Sequence, residues 1–382
     1  MTFHLARLGE IADFDRQGID PARIESGARY VGLEHIDDSG AVHEVTVNNG
    51  ELASTKFAFT PDHILYGKLR PYLRKIARPD FGGICSTDII PIKPSLRVNR
   101  DYLFHFLRLD EIVAKAASLA TGVNLPRVSP RILEEFDVPL PSLDAQRRIA
   151  GILDQAEGLR RKRLESLHRL SSISQILFAS MFGDWSRPGF NGSLVSLADR
   201  LDFLTSGSRG WARHYRDRGS LFLRIQNVKR DQLDLSDVVF VDAPGTAEAQ
   251  RTRVQEGDVL LSITADLGRT AVVPAGIGEA FINQHLAILR TSKLEPRFLS
   301  AALTSRAGQN AIQSKNREGV KAGLNFEDVR SLMIPDVDLR VQREFALRAS
   351  AIDALMQHYR AHLAKLDALF ASLQHRAFRG EL

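Results

Sequence analysis

Apolar residues recur at seven-residue intervals in two long stretches of this chain, Ala145–Asp184 and Leu339–Leu382. In the first stretch they fall on two neighbouring lines, interrupted at Arg160, Arg163 and Ser174: Ile149, Ala156, Leu170 and Leu177, then Leu153, Leu167 and Met181. In the second stretch both lines are unbroken: Ile352, Tyr359, Leu366 and Leu373, then Met356, Leu363 and Phe370. About 38 residues of helix would be roughly 55–60 Å long, and a helix of that length needs a helical partner. The pattern therefore predicts that the two stretches pair as a coiled coil.

The chain also reads as an internal duplication. Gln146 and Gln342 differ by 196 positions, and so do Phe182 and Phe378. Upstream, Phe59–Ile76 matches Val254–Ala271 in its apolar pattern, with Arg74 falling on Arg269. A repeat of this length indicates two copies of a whole domain and not a solenoid of short units.

Each copy has the pattern of a mixed sheet followed by helix. Short β-branched runs at Ala41–Val47, His63–Tyr66 and Ile89–Ile92 lie between Gly, Pro and Asp turns. Spacings of three and four predict helices over Asp101–Ala120 and Pro296–Ile312. The predicted fold class is α+β: two tandem-duplicated α/β domains, each followed by a long helix, with the helices antiparallel. The predicted boundaries are a first domain at 1–143, a helix at 144–186, a second domain at 187–338 and a helix at 339–382.

Composition narrows the classes of function only slightly. The 382 residues are 25% charged and 44% hydrophobic, ordinary values for globular domains. No apolar run is long enough to span a bilayer, and we expect a cytoplasmic protein without a membrane partner. The single cysteine, Cys85, excludes an internal disulfide and cysteine-based zinc clusters. The net charge of +5 mildly favours a polyanionic partner.

The common catalytic motifs are missing from the sequence. There is no Pro-Pro pair for an amino-methyltransferase motif, and no lysine has an acidic residue two positions before it, as a restriction-type nuclease would. Gly67-Lys68 lacks the rest of a phosphate loop, and the histidines show no metal-ligand spacing. We therefore predict no catalytic residues and no metal site in this chain.

Three loops instead combine cations with aromatic residues or glycine. Lys68, Arg70, Tyr72, Arg74 and Lys75 follow an apolar strand, where they suit phosphate neutralisation and, for the arginines, guanine recognition. The second loop offers Ser208, Arg209, Trp211, Arg213, Tyr215 and Arg216, and the third offers Lys315, Arg317 and Lys321. Arg269 joins the set as the repeat equivalent of Arg74. The plainer interpretation of each loop is a solvated, merely exposed basic turn.

Two further basic or glycine-containing segments are assigned structural roles. Thr121–Arg127, the repeat equivalent of the third loop, is interpreted as a glycine turn that could serve only to position the domain. The run Arg160–Arg163 lies on the first long helix, where a solvated face or ion pairs with the partner helix are expected.

These features resemble the DNA-specificity subunits of type I restriction–modification systems, and the resemblance covers essentially the whole chain. It is strongest in three segments: Leu65–Tyr72 (LYGKLRPY), Pro139–Ala150 (PLPSLDAQRRIA) and Ser372–Leu382 (SLQHRAFRGEL). The second copy departs from the pattern, with Leu261–Asp266 (LSITAD) in place of the Gly-Lys-Leu-Arg-Pro element. Different loops in the two copies are expected if the two half-sites differ.

The resemblance implies that two recognition domains read the halves of a gapped target in double-stranded DNA, while the paired helices set the gap. It further implies two adenine methyltransferase subunits as partners and, in a complete system, restriction subunits. S-adenosylmethionine, ATP and Mg would then be bound by those partners, and this chain would hold no cofactor. Two other classes stay open: an enzyme with diverged motifs, and a coiled-coil scaffold that reads no sequence. A two-part DNA reader of another phage-defence system is a third, closer alternative.

Overall fold

A computed structural model describes residues 3–316 and 323–382 of the chain. The chain forms two compact units. Unit 1 comprises Met1–Leu164 and Ala361–Leu382, and unit 2 comprises Glu165–Arg360. Each unit therefore contains a globular domain together with parts of both long helices. Within the described residues, no helix combines the length and apolar character needed to cross a membrane.

The domain of unit 1 is a mixed α/β structure. Its helices are α1 (Leu8–Ile11), α2 (Arg100–Leu107), α3 (Asp110–Ser118) and α4 (Pro130–Glu134), and the long helix α5 (Leu143–Phe182) follows. Its strands are β1 (His4–Arg7), β2 (Ala12–Phe14), β3 (Gly18–Ile19), β4 (Ala28–Val31), β5 (Val45–Val47), β6 (Lys56–Phe59), β7 (Ile64–Gly67), β8 (Ile76–Ala77), β9 (Gly83–Cys85), β10 (Ile89–Pro94) and β11 (Asp137–Leu140). The sheet orders are β2-β10-β7-β8, β3-β6-β9-β4-β5 and β1-β11.

The domain of unit 2 repeats this arrangement. Its helices are α6 (Leu197–Arg200), α7 (Ala247–Arg251), α8 (Pro296–Thr304), α9 (Arg306–Ser314) and α10 (Phe326–Arg330), and α11 (Leu339–Ala377) is the second long helix. Its strands are β12 (Leu194–Ser196), β13 (Phe203–Ser206), β14 (Tyr215–Arg216), β15 (Ser220–Leu223), β16 (Val239–Val241), β17 (Val259–Ser262), β18 (Thr270–Val272), β19 (Ala280–Ile282), β20 (Leu286–Arg290) and β21 (Met333–Pro335). The sheet orders are β13-β20-β17-β18, β14-β16-β15-β19 and β12-β21.

The two domains share the strand order of two of their three sheets, which confirms the internal duplication. The order β2-β10-β7-β8 is repeated as β13-β20-β17-β18, and the pair β1-β11 as β12-β21. The parallel pair of β4 with β9 recurs as β15 with β19. Both copies therefore keep the same framework and differ at the edges of the remaining sheet, where β3 and β6 extend one copy and β14 extends the other.

The long helices are antiparallel, as predicted. In unit 1, Arg160 Nε of α5 donates to Asp367 Oδ1 of α11 at 2.6 Å, and its guanidinium lies 4.8 Å from the Phe370 ring. Further along α5, Arg163 contacts His362 at 3.1 Å, so residue numbers rise on one helix as they fall on the other. The predicted heptad residues are buried or half-buried, whereas Leu159 and Leu164, outside both lines, are about half exposed. The Arg160–Arg163 run therefore supplies ion pairing to the partner helix.

Each predicted domain helix is in fact two helices. The pattern predicted one helix over Asp101–Ala120, but α2 ends at Leu107 and α3 begins at Asp110. The break lies at Leu109, whose backbone is extended, and the preceding Arg108 bonds the carbonyls of Asp38 (2.7 Å) and Ile76 (3.3 Å) through its guanidinium. In the second domain the helix predicted over Pro296–Ile312 breaks at Ser305, whose hydroxyl caps α9. The apolar spacing of three and four residues continues across each break because the helices on either side of it pack on the same core.

The ends of the long helices belong to the domain cores. In unit 1, the Phe378 ring lies 5.1 Å from Tyr102 and 5.7 Å from Phe106, both on α2. In unit 2, Phe182 of α5 lies 4.9 Å from Phe298 of α8 and 5.6 Å from Phe345 of α11. Burial of these rings against the domains fixes where each helix end lies.

Candidate nucleic-acid interface

The first basic loop leaves β7 through a strained turn. A single 3-10 turn, Pro71–Leu73, is flanked by Arg70 (φ 49°) and Arg74 (φ 52°), both in the left-handed region. The Arg70 N–H donates to the Pro126 carbonyl at 2.7 Å, which fixes its backbone. The Arg70 side chain is exposed. Left-handed arginines are unusual and costly, so the loop fixes the backbone from which this side chain projects.

Only part of this loop's charge faces solvent freely. Arg74 forms an ion pair with Asp110 at the start of α3. Lys75 Nζ donates to the Ile36 carbonyl at 2.6 Å and lies 3.7 Å from Asp38 Oδ1. Lys68 is half-buried, whereas Tyr72 is 55% exposed. Arg70 and Tyr72 are thus the best presented members of the first loop.

The segment Thr121–Arg127 is joined to the first loop by hydrogen bonds. The Val128 N–H donates to the Lys68 carbonyl at 3.0 Å, next to the bond between Arg70 and Pro126. Arg127 pairs with Asp88 at 3.0 Å, and Gly122 has a φ of +110°. Sequence reasoning assigned this segment only a positioning role. The structure makes it the support of Arg70, with the fully exposed Val123 at its tip.

The second basic loop is more compact than its composition suggested. Trp211 is only 6% exposed, because its ring stacks on Phe222 at 4.9 Å and lies 5.3 Å from Phe281. Its indole N–H donates to Ser208 Oγ at 3.0 Å. Trp211 and Ser208, both predicted as DNA-binding residues, thus lie where the ring is part of the core and the hydroxyl accepts its indole N–H.

The remaining members of the second loop lie on the surface. Arg209, Arg213 and Arg216 are exposed, and Tyr215 is 40% exposed. Arg213 Nε donates to His214 at 3.0 Å, and Arg216 Nη1 donates to the Tyr215 carbonyl at 2.8 Å. These bonds are local, so the cations stay at the protein surface where a phosphate backbone could approach.

The remaining predicted DNA-binding residues differ in their exposure and in their partners. Arg269 is half-buried, pairs with Asp266 and reaches the Val228 carbonyl at 3.4 Å, which makes it a structural residue of its loop. Lys315 is half-buried at the end of α9. Arg317 and Lys321 lie outside the described residues.

One His and carboxylate group in unit 1 has the ligand types of a metal site: His105, Asp154 and Glu157. The positions next to these carboxylates are taken by cations. Arg78 pairs with Asp154, and Arg108 lies 3.7 Å from Glu157. Burial favours neutral Asp154, but hydrogen bonds from His105 and Arg78 outweigh it and lower the pKa of Asp154 to about 2. The group is therefore an ion-pair network between domain and helix.

Comparison with known proteins places these features in a family. A family model described as "Type I restriction modification DNA specificity domain" matches residues 35–169, which include the first loop and the start of α5. The EcoKI specificity subunit of Escherichia coli strain K12 is 25% identical over 332 residues, covering 79% of this chain and 69% of that protein. Over most of its length this chain is similar to type I restriction–modification specificity subunits. In that family the specificity subunit recognises DNA and is not catalytic.

Other specificity subunits match over different lengths. The EcoDI subunit of Escherichia coli is 28% identical over 36% of this chain, but the match spans only 31% of that protein. The MjaVIII subunit of Methanocaldococcus jannaschii is 23% identical, with coverage of 78% and 74%.

Solved structures support the fold. The fold is similar to a chain from a study of assembly and conformational transition of the type I system (TM-score 0.63, 22% identity, 100% of this chain and 98% of that one). It is also similar to the specificity subunit from M. genitalium (TM-score 0.61, 15% identity, 98% and 96%). The fold of two domains with long helices is thus shared with these solved chains.

Proposed function

We propose that this chain reads a two-part, gapped target in double-stranded DNA and directs adenine methyltransferase subunits to it. One domain would read each half of the target, and the paired helices would set the gap. The observation that carries this proposal is the duplication itself: one framework occurs twice, and each copy presents a different set of exposed cations. Two different loops on one framework suit two different half-sites.

Contacts from the first domain would come from Arg70 and Tyr72, with Lys68 behind them. Contacts from the second would come from Arg209, Arg213, Tyr215 and Arg216. Lys315, Arg317 and Lys321 are retained as proposed phosphate contacts, because cations near a groove fix register even when they read no base. Trp211, Ser208, Arg74, Lys75 and Arg269 are proposed to support these loops from inside the protein.

The partner subunits would bind along the long helices. Leu159 and Leu164 of α5 and Leu347 of α11 are 54%, 51% and 74% exposed, a pattern that favours protein contacts. We propose two methyltransferase subunits here, with restriction subunits joining in a complete system. S-adenosylmethionine, ATP and Mg would be bound by those partners.

A comparison of DNA modification in cells with and without this chain tests the proposal. Both strains would express the same methyltransferase, and single-molecule sequencing would record modified adenines. A gapped two-part motif that disappears with the chain is the expected result. Unchanged modification, with the methyltransferase present and bound to the chain, would favour a scaffold that reads no sequence.

Replacing Arg70 with glutamine should weaken recognition of one half-site only. Loss of a well-placed arginine contact costs ~1–3 kcal/mol, or about 5–150-fold in affinity. Binding of the complex with its methyltransferase would be measured on the motif duplex and on duplexes altered in either half. The effect should vanish on the duplex whose first half-site is already altered. Arg97→Gln, an exposed arginine of the same domain, is the matched control; an equal loss there would contradict a specific role for Arg70.

Removing one heptad from each long helix should change the gap and leave the half-sites alone. Deleting residues 161–167 and 357–363 keeps the antiparallel helices in register, since seven residues are removed from each in the region where Arg163 contacts His362. Seven residues are ~10 Å of helix, about the length of three base pairs. Sequencing of modified DNA would show the new gap. New half-site sequences instead would count against a spacing role for the helices.

A further inference from the structure

An arginine in unit 2 joins three separate parts of the structure. Arg297, in the first turn of α8, is only 15% exposed at its side chain. Its Nη1 donates to the Asp231 carbonyl oxygen at 2.9 Å and lies 3.0 Å from the Asp231 carboxylate. Its Nη2 donates to Asp353 Oδ2 of α11 at 2.7 Å. One guanidinium therefore links the domain helix, the turn that follows β15 and the long helix.

The turn that Arg297 contacts is itself rigid. Asp231 has a φ of +60°, and the Lys229 N–H donates to the Gln232 carbonyl at 2.9 Å across the turn. Ser300, one turn after Arg297 on α8, donates its hydroxyl to the Asp231 carboxylate and lies 2.7 Å from Thr270 Oγ1. Burial raises the pKa of Asp231 to about 6 against the opposing effect of Arg297. The adjacent guanidinium favours the charged form of this carboxylate.

Unit 1 contains the same connection, made by a residue at a different position. Arg108, at the end of α2, is 8% exposed. Its Nη2 donates to the Asp38 carbonyl at 2.7 Å and lies 3.7 Å from Glu157 Oε1 of α5. Glu157 and Asp353 are repeat equivalents, but Arg108 and Arg297 are not, since one ends its helix and the other begins it. In both units an arginine thus links a turn, a domain helix and a long helix. The arginine lies at the end of the domain helix in unit 1 and at its start in unit 2.

Beside Arg297 the domain and the long helices are separated by a polar cleft. The cleft has a volume of about 460 Å³, and its lining includes Gln175 of α5, Gln232 of the turn and Arg360 of α11. Phe298, the next residue of α8, packs on Phe182 in the aromatic cluster, whereas Arg297 makes polar contacts on the side that faces the cleft. Buried ion pairs add little net stability and can specify one arrangement among several.

We propose that Arg108 and Arg297, which we name the arginine clamps, are positioning residues that fix the orientation of each domain on its long helices. The orientation then decides which gap lengths the chain accepts, and this second step rests on the proposed function. The clamps contact no base; they act by holding the loops that do.

Distance measurements within unit 2 test the first step without DNA. Nitroxide labels would be attached at Asp217→Cys in the second basic loop and at Leu347→Cys on α11, both exposed positions. Cys85 is buried, and burial raises the pKa of its thiol to about 12, so it should remain unlabelled. Pulsed electron paramagnetic resonance should give a broadened or shifted distance distribution when Asp353→Asn is added. Glu327→Gln, an exposed acid on α10, should leave the distribution unchanged.

Modification rates on altered duplexes test the second step. The chain with its methyltransferase would act on the native motif and on motifs with the gap one base pair shorter or longer. Asp353→Asn should reduce the preference for the native gap by about tenfold, equivalent to ~1.4 kcal/mol. Glu157→Gln should do the same from unit 1. Preference among half-site sequences should not change for either variant.

The outcomes separate the inference from the proposed function. An unchanged distance distribution in Asp353→Asn would overturn the clamp, whatever the DNA results. A broadened distribution with an unchanged gap preference would overturn the link between clamp and gap. A wild-type chain with no gapped target would contradict the proposed function, while a broadened distribution would still support the clamp.

Discussion

Replacing Phe345 with alanine should lower the free energy of unfolding of unit 2 by about 3–5 kcal/mol. Phe345 is completely buried. Its ring lies 5.4 Å from Phe178 and 5.6 Å from Phe182, so it joins α11 to α5 within the unit. Removing the ring leaves a cavity among aromatic neighbours that cannot collapse easily, since Phe178 and Phe182 are also packed on Phe298. Urea denaturation followed by tryptophan fluorescence would measure the loss, because Trp185 and Trp211 are both in unit 2.

Leu347→Ala provides the matched control for this change. Leu347 lies two residues further along the same helix and is 74% exposed. Its replacement should alter the unfolding free energy by no more than about 0.5 kcal/mol. Equal losses in both variants would mean that burial in the aromatic cluster does not account for the loss at Phe345, since alanine favours the helix at both positions.

Replacing Gln146 with leucine should destabilise unit 1 by about 2–4 kcal/mol. Gln146 is fully buried at the start of α5. Its Oε1 accepts the Asn99 N–H at 2.7 Å, and its Nε2 donates to the Pro141 carbonyl at 2.9 Å and the Arg97 carbonyl at 3.3 Å. Leucine has a similar size but leaves the N–H and both carbonyls without this partner. Denaturation of the purified chain, followed by amide hydrogen exchange in α2, would report the loss.

Gln155→Leu is the control, since Gln155 is an exposed glutamine on the same helix. A second check uses the repeat. Gln342 makes the equivalent contact with the Glu295 N–H at 3.0 Å, so Gln342→Leu should destabilise unit 2 in the same way. A stable Gln146→Leu protein with normal exchange in α2 would show that water can replace the amide.

The architecture was predictable because it depends on periodicity. The heptad lines and the constant offset between Gln146 and Gln342 are properties of sequence alone, and they predicted the long helices and the duplication. The helix break at Leu109 was not predictable in this way. The apolar period runs through it unchanged, and the tertiary contacts of Arg108 beside it, to the carbonyls of Asp38 and Ile76, come from residues distant in sequence.

The candidate interface was less predictable than the fold. The neighbouring Gly, Ser and Arg residues indicated an exposed Trp211. Its ring instead packs on Phe222 of β15 and Phe281 of β19, which are distant in sequence. Arg74 likewise forms an ion pair with Asp110, which is 36 positions away in sequence. Composition indicates that a loop is basic, whereas tertiary partners decide which of its cations remain at the surface.

The division of the chain into units has a consequence for protein synthesis. Unit 2 is continuous in sequence, whereas unit 1 needs residues 361–382 in addition to its first 164. A ribosome therefore completes unit 2 before it has made Phe370 and Phe378, which lie in the core of unit 1. The domain translated first is the last to have all of its core residues. During translation it exposes the surface that those rings later cover, and in that interval it depends most on chaperones.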